Sequence, residues 1–270
     1  MNSKERTVRI DAHQHFWKYN KEEYGWIDDS MKILRRDFLP QDLVLELREN
    51  AIDFTVAVQA RQSLPETDWL IELAEKNGFI KGVIGWVDLR NDLVERDIEN
   101  LCQHKKFKGV RHILQDEEDN FFMFRKDFLA GISKLKRFDL TYDILIFSRQ
   151  IKYVSELVNK FPDQLFVVDH IAKPFIKKGQ LQPWKDYMRQ LAKADNVYCK
   201  LSGMVTEASW ESWKGEDFGP YLEAILEMFG PTRLMFGSDW PVCTVAARYE
   251  EVLGIVTNFI SSLSDDEQAR

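Results

Sequence analysis

The alternation of eight short apolar segments with longer segments of helical periodicity constrains the fold of this 270-residue chain most strongly. The apolar segments, which are rich in β-branched residues, are Val8–His13, Phe54–Ala60, Gly82–Val87, Gly109–Ile113, Tyr142–Phe147, Leu165–His170, Val197–Leu201 and Leu234–Gly237. The helix-period segments are Gln41–Asn50, Glu66–Asn77, Leu93–His104, Phe124–Lys136, Gln150–Lys160, Pro183–Ala194, Pro220–Phe229 and Ala246–Ser261. Strands that alternate with helices in this way form βαβ units and a parallel sheet.

Eight such units in this length predict an α/β protein with a single (β/α)8 TIM barrel, a fold of roughly 250 residues. No linker or low-complexity tract divides the chain, so we expect one domain over residues 1–270. A doubly wound open sheet is the alternative, and the absence of a G-x-G-x-x-G or phosphate-binding loop after the first strand disfavours it. The capping-box pattern at Ser264–Glu267 predicts a last helix, which we expect to be cut short at Arg270.

The charge balance excludes two classes of partner. The chain has 37 Lys and Arg against 44 Asp and Glu, a net charge of −7, which argues against nucleic acid and a polybasic membrane contact. No apolar run approaches the ~18 residues of a membrane span, and Met1–Arg9 has no signal-peptide core. Three cysteines fit a reducing compartment. These features predict a cytoplasmic protein, and they leave the oligomeric state open.

The strand ends hold most of the histidines. In a barrel, reactive side chains lie at the carboxyl ends of the strands, and four of the five histidines are found there, namely His13, His15, His112 and His170. His13 and His15 are two residues apart, so both point to the same face of a strand. Both imidazoles can therefore converge on a metal ion or on a substrate oxygen. The alternative is that both imidazoles form hydrogen bonds with backbone groups and have no part in chemistry.

Two further residues at strand ends are candidates for chemistry. Asp239 follows a Gly-Ser step after the last strand and suits a general base, a metal ligand or both. Its structural alternative is the N-cap of the next segment. His170 suits a third metal ligand or an acid–base group, and its alternative is a core histidine bonded to Asp169. Cys243 has no neighbouring base motif and is expected to be a small buried residue.

Cations and tryptophans at the same strand ends suggest how a substrate is held. Arg61, Arg111 and Lys173 would suit an anionic or carbonyl-rich molecule, unless they are simply solvated surface groups. Four tryptophans could form stacking walls for a ring or could be ordinary buried residues. They are Trp17, Trp26, Trp86 and Trp240.

Five segments, in order along the chain, together resemble the amidohydrolase-related family. They are Asp11–Trp17, Gly109–His112, Asp169–His170 with Lys173–Pro174, Cys199–Gly203 and Phe236–Pro241. Within that family they are most similar to the sugar-lactonase branch, which includes L-fuconolactonases, L-rhamnonolactonases and pyrone dicarboxylate lactonases. Gln59–Arg61, followed by Glu66 and Thr67, is also similar to this branch. The resemblance implies a (β/α)8 barrel that hydrolyses the cyclic ester of a sugar-derived lactone.

The resemblance also bears on the metal. Metal-dependent members typically use the first-strand histidine pair, a histidine after strand 5, often one after strand 6, and the last-strand aspartate. Here the fifth strand ends in Ile144–Arg149 without a histidine. The remaining set of His13, His15, His170 and Asp239 has enough ligands for one Zn²⁺ but not two. Because the branch includes members that work without metal, we expect no cofactor to be required, with one divalent metal such as zinc as the alternative.

The expected roles follow from lactone chemistry. Asp239 is the predicted general base on water, while His13, His15, His170 and Arg111 are candidates to polarise the carbonyl or relay a proton. The substrate-binding candidates are Arg61, Arg111, His112, Lys173, Gln59 and Trp17, the last packing on the ring. Two other functions remain open: a metal-dependent decarboxylase or amide hydrolase of the same superfamily, and a non-catalytic sugar-acid binding protein.

Overall fold

The computed structural model describes residues 7–269 and contains eight parallel strands. They are β1 (Ile10–Gln14), β2 (Phe54–Val58), β3 (Ile80–Gly85), β4 (Phe107–Ile113), β5 (Thr141–Leu145), β6 (Phe166–Val168), β7 (Val197–Leu201) and β8 (Leu234–Phe236). Each strand pairs with the next in chain order. The ring closes just beyond β8, where the Asp239 amide donates to the His13 carbonyl at 2.8 Å and the His15 amide donates to the Trp240 carbonyl at 2.7 Å. The predicted (β/α)8 barrel is confirmed.

Helices follow all eight strands, and each predicted helix is present with ends shifted by a few residues. They are α1 (Pro40–Glu49), α2 (Leu64–Lys76), α3 (Val94–Leu101), α4 (Lys126–Leu135), α5 (Ile151–Lys160), α6 (Trp184–Leu191), α7 (Gly219–Phe229) and α8 (Tyr249–Ile260), followed by the short α9 (Asp265–Gln268). In α3 the buried residues Val94, Ile98 and Leu101 recur at helical spacing and form the face that packs inward. No helix in the described part of the chain combines the length and apolar character of a membrane span.

The predicted last helix begins where the capping box places it. The Ser264 side chain accepts from the Glu267 amide, and the Glu267 carboxylate accepts from the Ser264 amide at 2.9 Å. This reciprocal pair satisfies two backbone donors at the start of α9. The expectation that α9 continues beyond Arg270 stays a prediction.

Alternation along the strands separates a polar barrel interior from an apolar outer layer. Arg111 of β4 and Asp143 of β5 face inward, whereas their neighbours His112 and Tyr142 pack against Phe128 of α4, with ring centroids 5.4 and 6.2 Å away. Successive side chains of a strand point to opposite faces. One face of each strand therefore builds the core beneath the helices, and the other is free to carry charged groups.

Candidate active site

Three histidines and one carboxylate meet at the carboxyl end of the barrel. The Nε2 atoms of His13 and His15 lie 3.1 Å apart. The Asp239 Oδ1 atom lies 3.4 Å from His15 Nε2, 3.9 Å from His13 Nε2 and 4.0 Å from His170 Nε2. The structure thus brings together residues that are up to 226 positions apart in the chain, between His13 and Asp239. We call these four residues the histidine–aspartate cluster.

Backbone strain is concentrated at two members of the cluster. His170 has φ = 56° and is followed by three more non-glycine residues with positive φ, while Asp239 has φ = 58°. The left-handed region is costly for residues with a Cβ atom, and such residues concentrate at functional sites. Gly203 packs directly against His170, and a Cβ at that glycine would lie 2.4 Å from His170 Nδ1. The sequence therefore needs glycine at this position to accommodate the imidazole.

Hydrogen bonds to the outer ring nitrogens orient the imidazoles. His15 Nδ1 donates to the Val58 carbonyl at 2.8 Å, which turns its Nε2 toward the cluster. His170 Nδ1 pairs with the Ser202 hydroxyl at 2.9 Å, and that hydroxyl also accepts from the His170 amide at 3.3 Å. Outer partners of this kind fix ring orientation and decide which nitrogen carries the proton. Both Nε2 atoms are consequently held toward Asp239.

A buried network of charges lies directly beneath the cluster. The Lys200 ammonium forms ion pairs with Asp143 and, at 3.0 Å, with Asp169, and it donates to His13 Nδ1 at 3.2 Å. The Arg111 guanidinium donates to Asp169 at 2.9 Å, and its Nη1 lies 3.4 Å from His13 Nε2. All five side chains are almost completely buried. We call Arg111, Asp143, Asp169 and Lys200 the ionic layer.

Burial and neighbouring charges set the protonation of the site. Burial lowers the pKa of His13 and of His170 well below the usual range for histidine. Burial alone would raise the pKa of Asp239, but His170 and the hydrogen bond from His15 more than offset this, so that its pKa is lowered. Near neutral pH, Asp239 is therefore an ionised carboxylate facing the neutral imidazoles of His13 and His170.

A second buried carboxylate, Asp11, holds the first and last strands in register. It accepts hydrogen bonds from the amides of His13 at 3.0 Å and Ser238 at 2.9 Å, and from the Tyr249 hydroxyl at 2.9 Å. These bonds join β1, the segment after β8 and helix α8. Asp11 thereby fixes the distance between His13 and Asp239 without facing the cluster itself.

Two of the predicted substrate-binding cations lie near the cluster without being part of it. Lys173 is half-buried, its ammonium 5.4 Å from the centroid of the Phe147 ring, and its charge acts on Asp239 and His170. Arg61 pairs with Glu23, and its Nε lies 3.6 Å from Glu66. The ends of both side chains remain partly accessible at the barrel mouth, and their roles in binding stay predictions.

The predicted packing of Trp17 on a substrate ring stays a prediction, and the structure buries the indole among other aromatic rings. Its side chain is fully buried, and its Nε1 donates to the carbonyls of Leu34 at 3.3 Å and Arg36 at 2.9 Å. The segment after β1 folds back so that the backbones of Trp17 and Phe38 pair. This pairing places the indole in an aromatic cluster with Tyr24 and Phe38 rather than in the cavity.

The structure places His112 and Gln59 outside the histidine–aspartate cluster, and their substrate-binding roles stay predictions. His112 follows the inward-facing Arg111, so it points to the outer face, where its Nε2 lies 2.7 Å from Glu117 and its ring stacks on Phe122. Gln59 is fully buried, and its side-chain amide donates to the Arg111 carbonyl at 3.2 Å. In the structure His112 contacts Glu117 and Phe122, and Gln59 bonds to the backbone of β4.

Comparison with known proteins identifies the family. A family model described as amidohydrolase matches residues 10–270. The chain belongs to the amidohydrolase family. This amidohydrolase is 41% identical over 266 residues to an L-fucono-1,5-lactonase from Burkholderia multivorans, covering 94% of this chain and 89% of that protein. It is 36% identical over 245 residues to an L-fucono-1,5-lactonase from Burkholderia ambifaria, covering 90% and 83%.

A solved structure shows the same fold at similar identity. An amidohydrolase from Burkholderia multivorans, crystallised with bound zinc, superposes with a TM-score of 0.94 at 40% identity. The match covers 97% of this chain and 95% of that one. The similarity thus extends over nearly the whole chain.

The cluster of this amidohydrolase fits one divalent metal ion. His13, His170 and Asp239 each offer one ligand atom, and these atoms lie within 4.8 Å of one another. Two imidazole nitrogens and a carboxylate oxygen are donors that zinc accepts, and the Ser202 hydroxyl on His170 is an outer partner typical of metal-binding histidines. His15 Nε2 lies 3.1 Å from His13 Nε2 and is the fourth candidate. Strand β5 contributes Asp143 to the ionic layer and no histidine.

His112 of this amidohydrolase is expected to make stability depend on pH. Burial lowers its pKa, so the unfolded chain binds a proton more readily than the folded protein does. The contribution of His112 to the unfolding free energy is fully present above the pKa of about 6.5 that histidine has in the unfolded chain. It is lost as the pH falls through and below that value. Each unit by which the pKa is lowered corresponds to about 1.4 kcal/mol of unfolding free energy.

The measurement is urea unfolding of the wild type and of His112→Gln at pH 7.5 and pH 5.5. The wild type should lose more unfolding free energy between these pH values than the variant, because glutamine does not titrate. The exposed His104 provides the matched control, and His104→Gln should show the wild-type dependence. Equal losses in the wild type and His112→Gln would contradict the prediction.

Proposed function

We propose that this amidohydrolase hydrolyses the cyclic ester of a sugar-derived lactone, with Asp239 as the general base. The observation that carries the proposal is an ionised carboxylate that faces three imidazoles above a buried pair of cations. A lactone needs a base for water, a positive environment for the carbonyl oxygen and a proton for the leaving alkoxide. The names of the two relatives described above support a sugar lactone as the substrate class.

In the proposed reaction, Asp239 Oδ1 takes a proton from a water molecule, and the oxygen of that water attacks the lactone carbonyl. His13 Nδ1 lies 3.2 Å from the Lys200 ammonium and 3.3 Å from Asp169 Oδ1, and these contacts hold the imidazole in place. His13 and the Arg111 guanidinium, whose Nη1 lies 3.4 Å from His13 Nε2, are the donors for the negative charge that develops on the carbonyl oxygen. A preorganised donor of this kind typically contributes 10²- to 10³-fold in rate.

Collapse of the tetrahedral intermediate then breaks the bond between the carbonyl carbon and the ring oxygen. The proton held by Asp239 passes to that oxygen, either directly or through His170, whose Nε2 lies 4.0 Å from Asp239 Oδ1. The product is an open-chain hydroxy acid. Lys173 and Arg61 at the mouth are proposed to bind the hydroxyl groups of the substrate.

A divalent ion such as zinc would be held by His13, His170 and Asp239, where it would polarise the carbonyl and acidify water. The protein supplies positive charge of its own in the same place, because Lys200 and Arg111 both contact His13. A lactone is also an activated acyl group. We therefore propose that lactone hydrolysis proceeds with the residues of this chain alone.

The function is tested by acid release from a panel of lactones followed with a pH indicator. The panel contains aldono-1,4- and aldono-1,5-lactones, unsubstituted δ-valerolactone, an N-acyl amino acid and a hydroxybenzoate. We expect turnover of aldonolactones and none of the last two compounds. Decarboxylation of the benzoate or cleavage of the amide would favour the rival reactions of the superfamily, while tight binding of an aldonic acid without any turnover would favour a binding protein.

Chelation is expected to leave aldonolactone hydrolysis largely intact. The protein is dialysed against EDTA, its metal content is measured by elemental analysis, and kcat/KM is compared before and after treatment. We expect a change of less than about threefold, because removing a required electrophile would instead cost on the order of 10²-fold or more. A loss of that size, restored by added Zn²⁺, would contradict the prediction and assign the ion to the His13, His170 and Asp239 site.

A further inference from the structure

Glu207 is a carboxylate at the barrel mouth that neither the fold nor the proposed mechanism uses. It lies on the 3₁₀ turn Val205–Glu207, a few residues after β7, and is half-buried. In the part of the chain that the structure describes, its carboxylate makes no hydrogen bond and no close ion pair. A carboxylate that is not engaged within the protein can accept hydrogen bonds from a bound molecule.

The backbone holds Glu207 in a fixed place. The Glu207 amide donates to the Met204 carbonyl at 3.2 Å, and the Thr206 hydroxyl donates to the Gly203 carbonyl at 2.8 Å. The Trp210 indole donates to the Thr206 carbonyl at 2.9 Å and holds the turn from its other side. Gly203, which packs on His170, lies two residues before the turn. The position of Glu207 is therefore tied to the histidine–aspartate cluster, as a precise binding group requires.

Glu207 stands between the cluster and an open cleft. The cleft has a volume of about 650 Å³ and is lined by Glu207, Trp210 and the segment around Phe175 and Lys178. On the inner side, Glu207 is close enough to Asp239 and Lys173 for both charges to act on it. Burial raises the pKa of Glu207, while the Lys173 ammonium opposes that rise.

We propose that Glu207 is a specificity-determining residue that binds the hydroxyl groups of the lactone ring. This inference rests on the proposed function. A carboxylate only accepts hydrogen bonds, and hydroxyls are donors, so Glu207 can accept from one hydroxyl or from two neighbouring ones. Lys173, on the adjacent loop, only donates and can serve a hydroxyl oxygen. Together they distinguish a polyhydroxylated lactone from an unsubstituted one.

The test compares Glu207→Gln with the wild type on an aldono-1,5-lactone and on δ-valerolactone, which has no hydroxyl groups. We expect KM for the aldonolactone to rise about 10- to 100-fold, the range for losing a charge-assisted hydrogen bond. Values of kcat, and all values for δ-valerolactone, should change by less than about threefold. Glu211→Gln is the matched control, because Glu211 lines the same cleft but is exposed, and it should match the wild type on both substrates.

Two results would overturn the inference. An equal loss of kcat on both lactones would make Glu207 part of the reaction itself, for example as the acid for the ring oxygen. Unchanged kinetics on both would leave it with no role in binding. Thermal unfolding of each variant separates these results from misfolding, and a loss confined to the aldonolactone cannot arise from misfolding.

A binding measurement keeps this inference separate from the proposed function. A polyhydroxylated δ-lactam has the ring and hydroxyls of the lactone but is not opened by the reaction. By isothermal titration calorimetry, Glu207→Gln should weaken its binding about 10- to 100-fold relative to the wild type and to Glu211→Gln. Equal affinity in all three proteins would overturn the role of Glu207, whether or not any lactone is hydrolysed.

Discussion

Replacing Asp239 by Asn is expected to lower kcat for aldonolactone hydrolysis by about 10²- to 10⁴-fold, the contribution of a positioned general base. The amide has the same size as the carboxylate but cannot take a proton from water. The Asp239 Oδ1 atom lies within 4.0 Å of all three histidines of the cluster, so the amide would stand at the position where the base acts. Initial rates in the pH-indicator assay measure the loss.

The fold should survive this change. Asp239 has φ = 58°, and asparagine is among the few residues that tolerate the left-handed region. The melting temperature should therefore stay within a few degrees of the wild type. Asp116→Asn is the control, because Asp116 is exposed on the loop after β4, and it should keep full activity. Near-normal turnover by Asp239→Asn would refute the assignment of the base.

The barrel was predictable because its signals are local and repeated. Each strand is a short apolar run, and each helix has its own periodicity, so eight independent segments support the same architecture. Boundaries were less accurate, as for α8, which begins at Tyr249 rather than Ala246. After Asp239 the chain first forms a separate turn, in which the Ala247 amide donates to the Cys243 carbonyl at 2.9 Å. Helix α8 therefore begins later than its sequence pattern predicts.

Members of the cluster were predictable for a similar reason, whereas their supporting groups were not. In a parallel barrel all carboxyl ends of the strands meet at one face, so His13, His15, His170 and Asp239 had to lie on the same side. Asp143 was missed as a site residue, although a charge in the middle of the apolar strand β5 was a usable signal. Its role depends on Lys200, which is 57 residues away in the chain.

The positions of His112 and Trp17 show what the place of a residue along a strand leaves undecided. His112 is predicted at the mouth because it ends the fourth strand together with Arg111, but the period of two sends neighbouring side chains to opposite faces. Trp17 was assigned to the cavity because it stands after β1, but the returning segment buries it beside Phe38. Position along a strand locates the rim of the barrel, whereas side-chain direction and loop path decide which rim residues reach its cavity.

Replacing Lys200 by Met is expected to lower the unfolding free energy by about 3–5 kcal/mol, the cost of breaking a buried ion pair by removing one partner. Asp169 would keep the Arg111 guanidinium at 2.9 Å, whereas Asp143 would keep only the Thr141 hydroxyl at 3.3 Å. An uncompensated carboxylate would then remain buried in the barrel interior. Urea unfolding followed by circular dichroism measures the loss.

A second replacement tests whether the cost comes from the orphaned charge or from lost packing. Lys200→Met with Asp143→Asn removes the uncompensated carboxylate, so it should recover most of the stability lost in Lys200→Met. Lys76→Met is the exposed control, because Lys76 pairs with Glu72 at 3.3 Å on the surface of α2, and it should cost less than about 1 kcal/mol. If the double variant is no more stable than Lys200→Met, packing around the ammonium stem, and not charge balance in the ionic layer, stabilises the floor of the site.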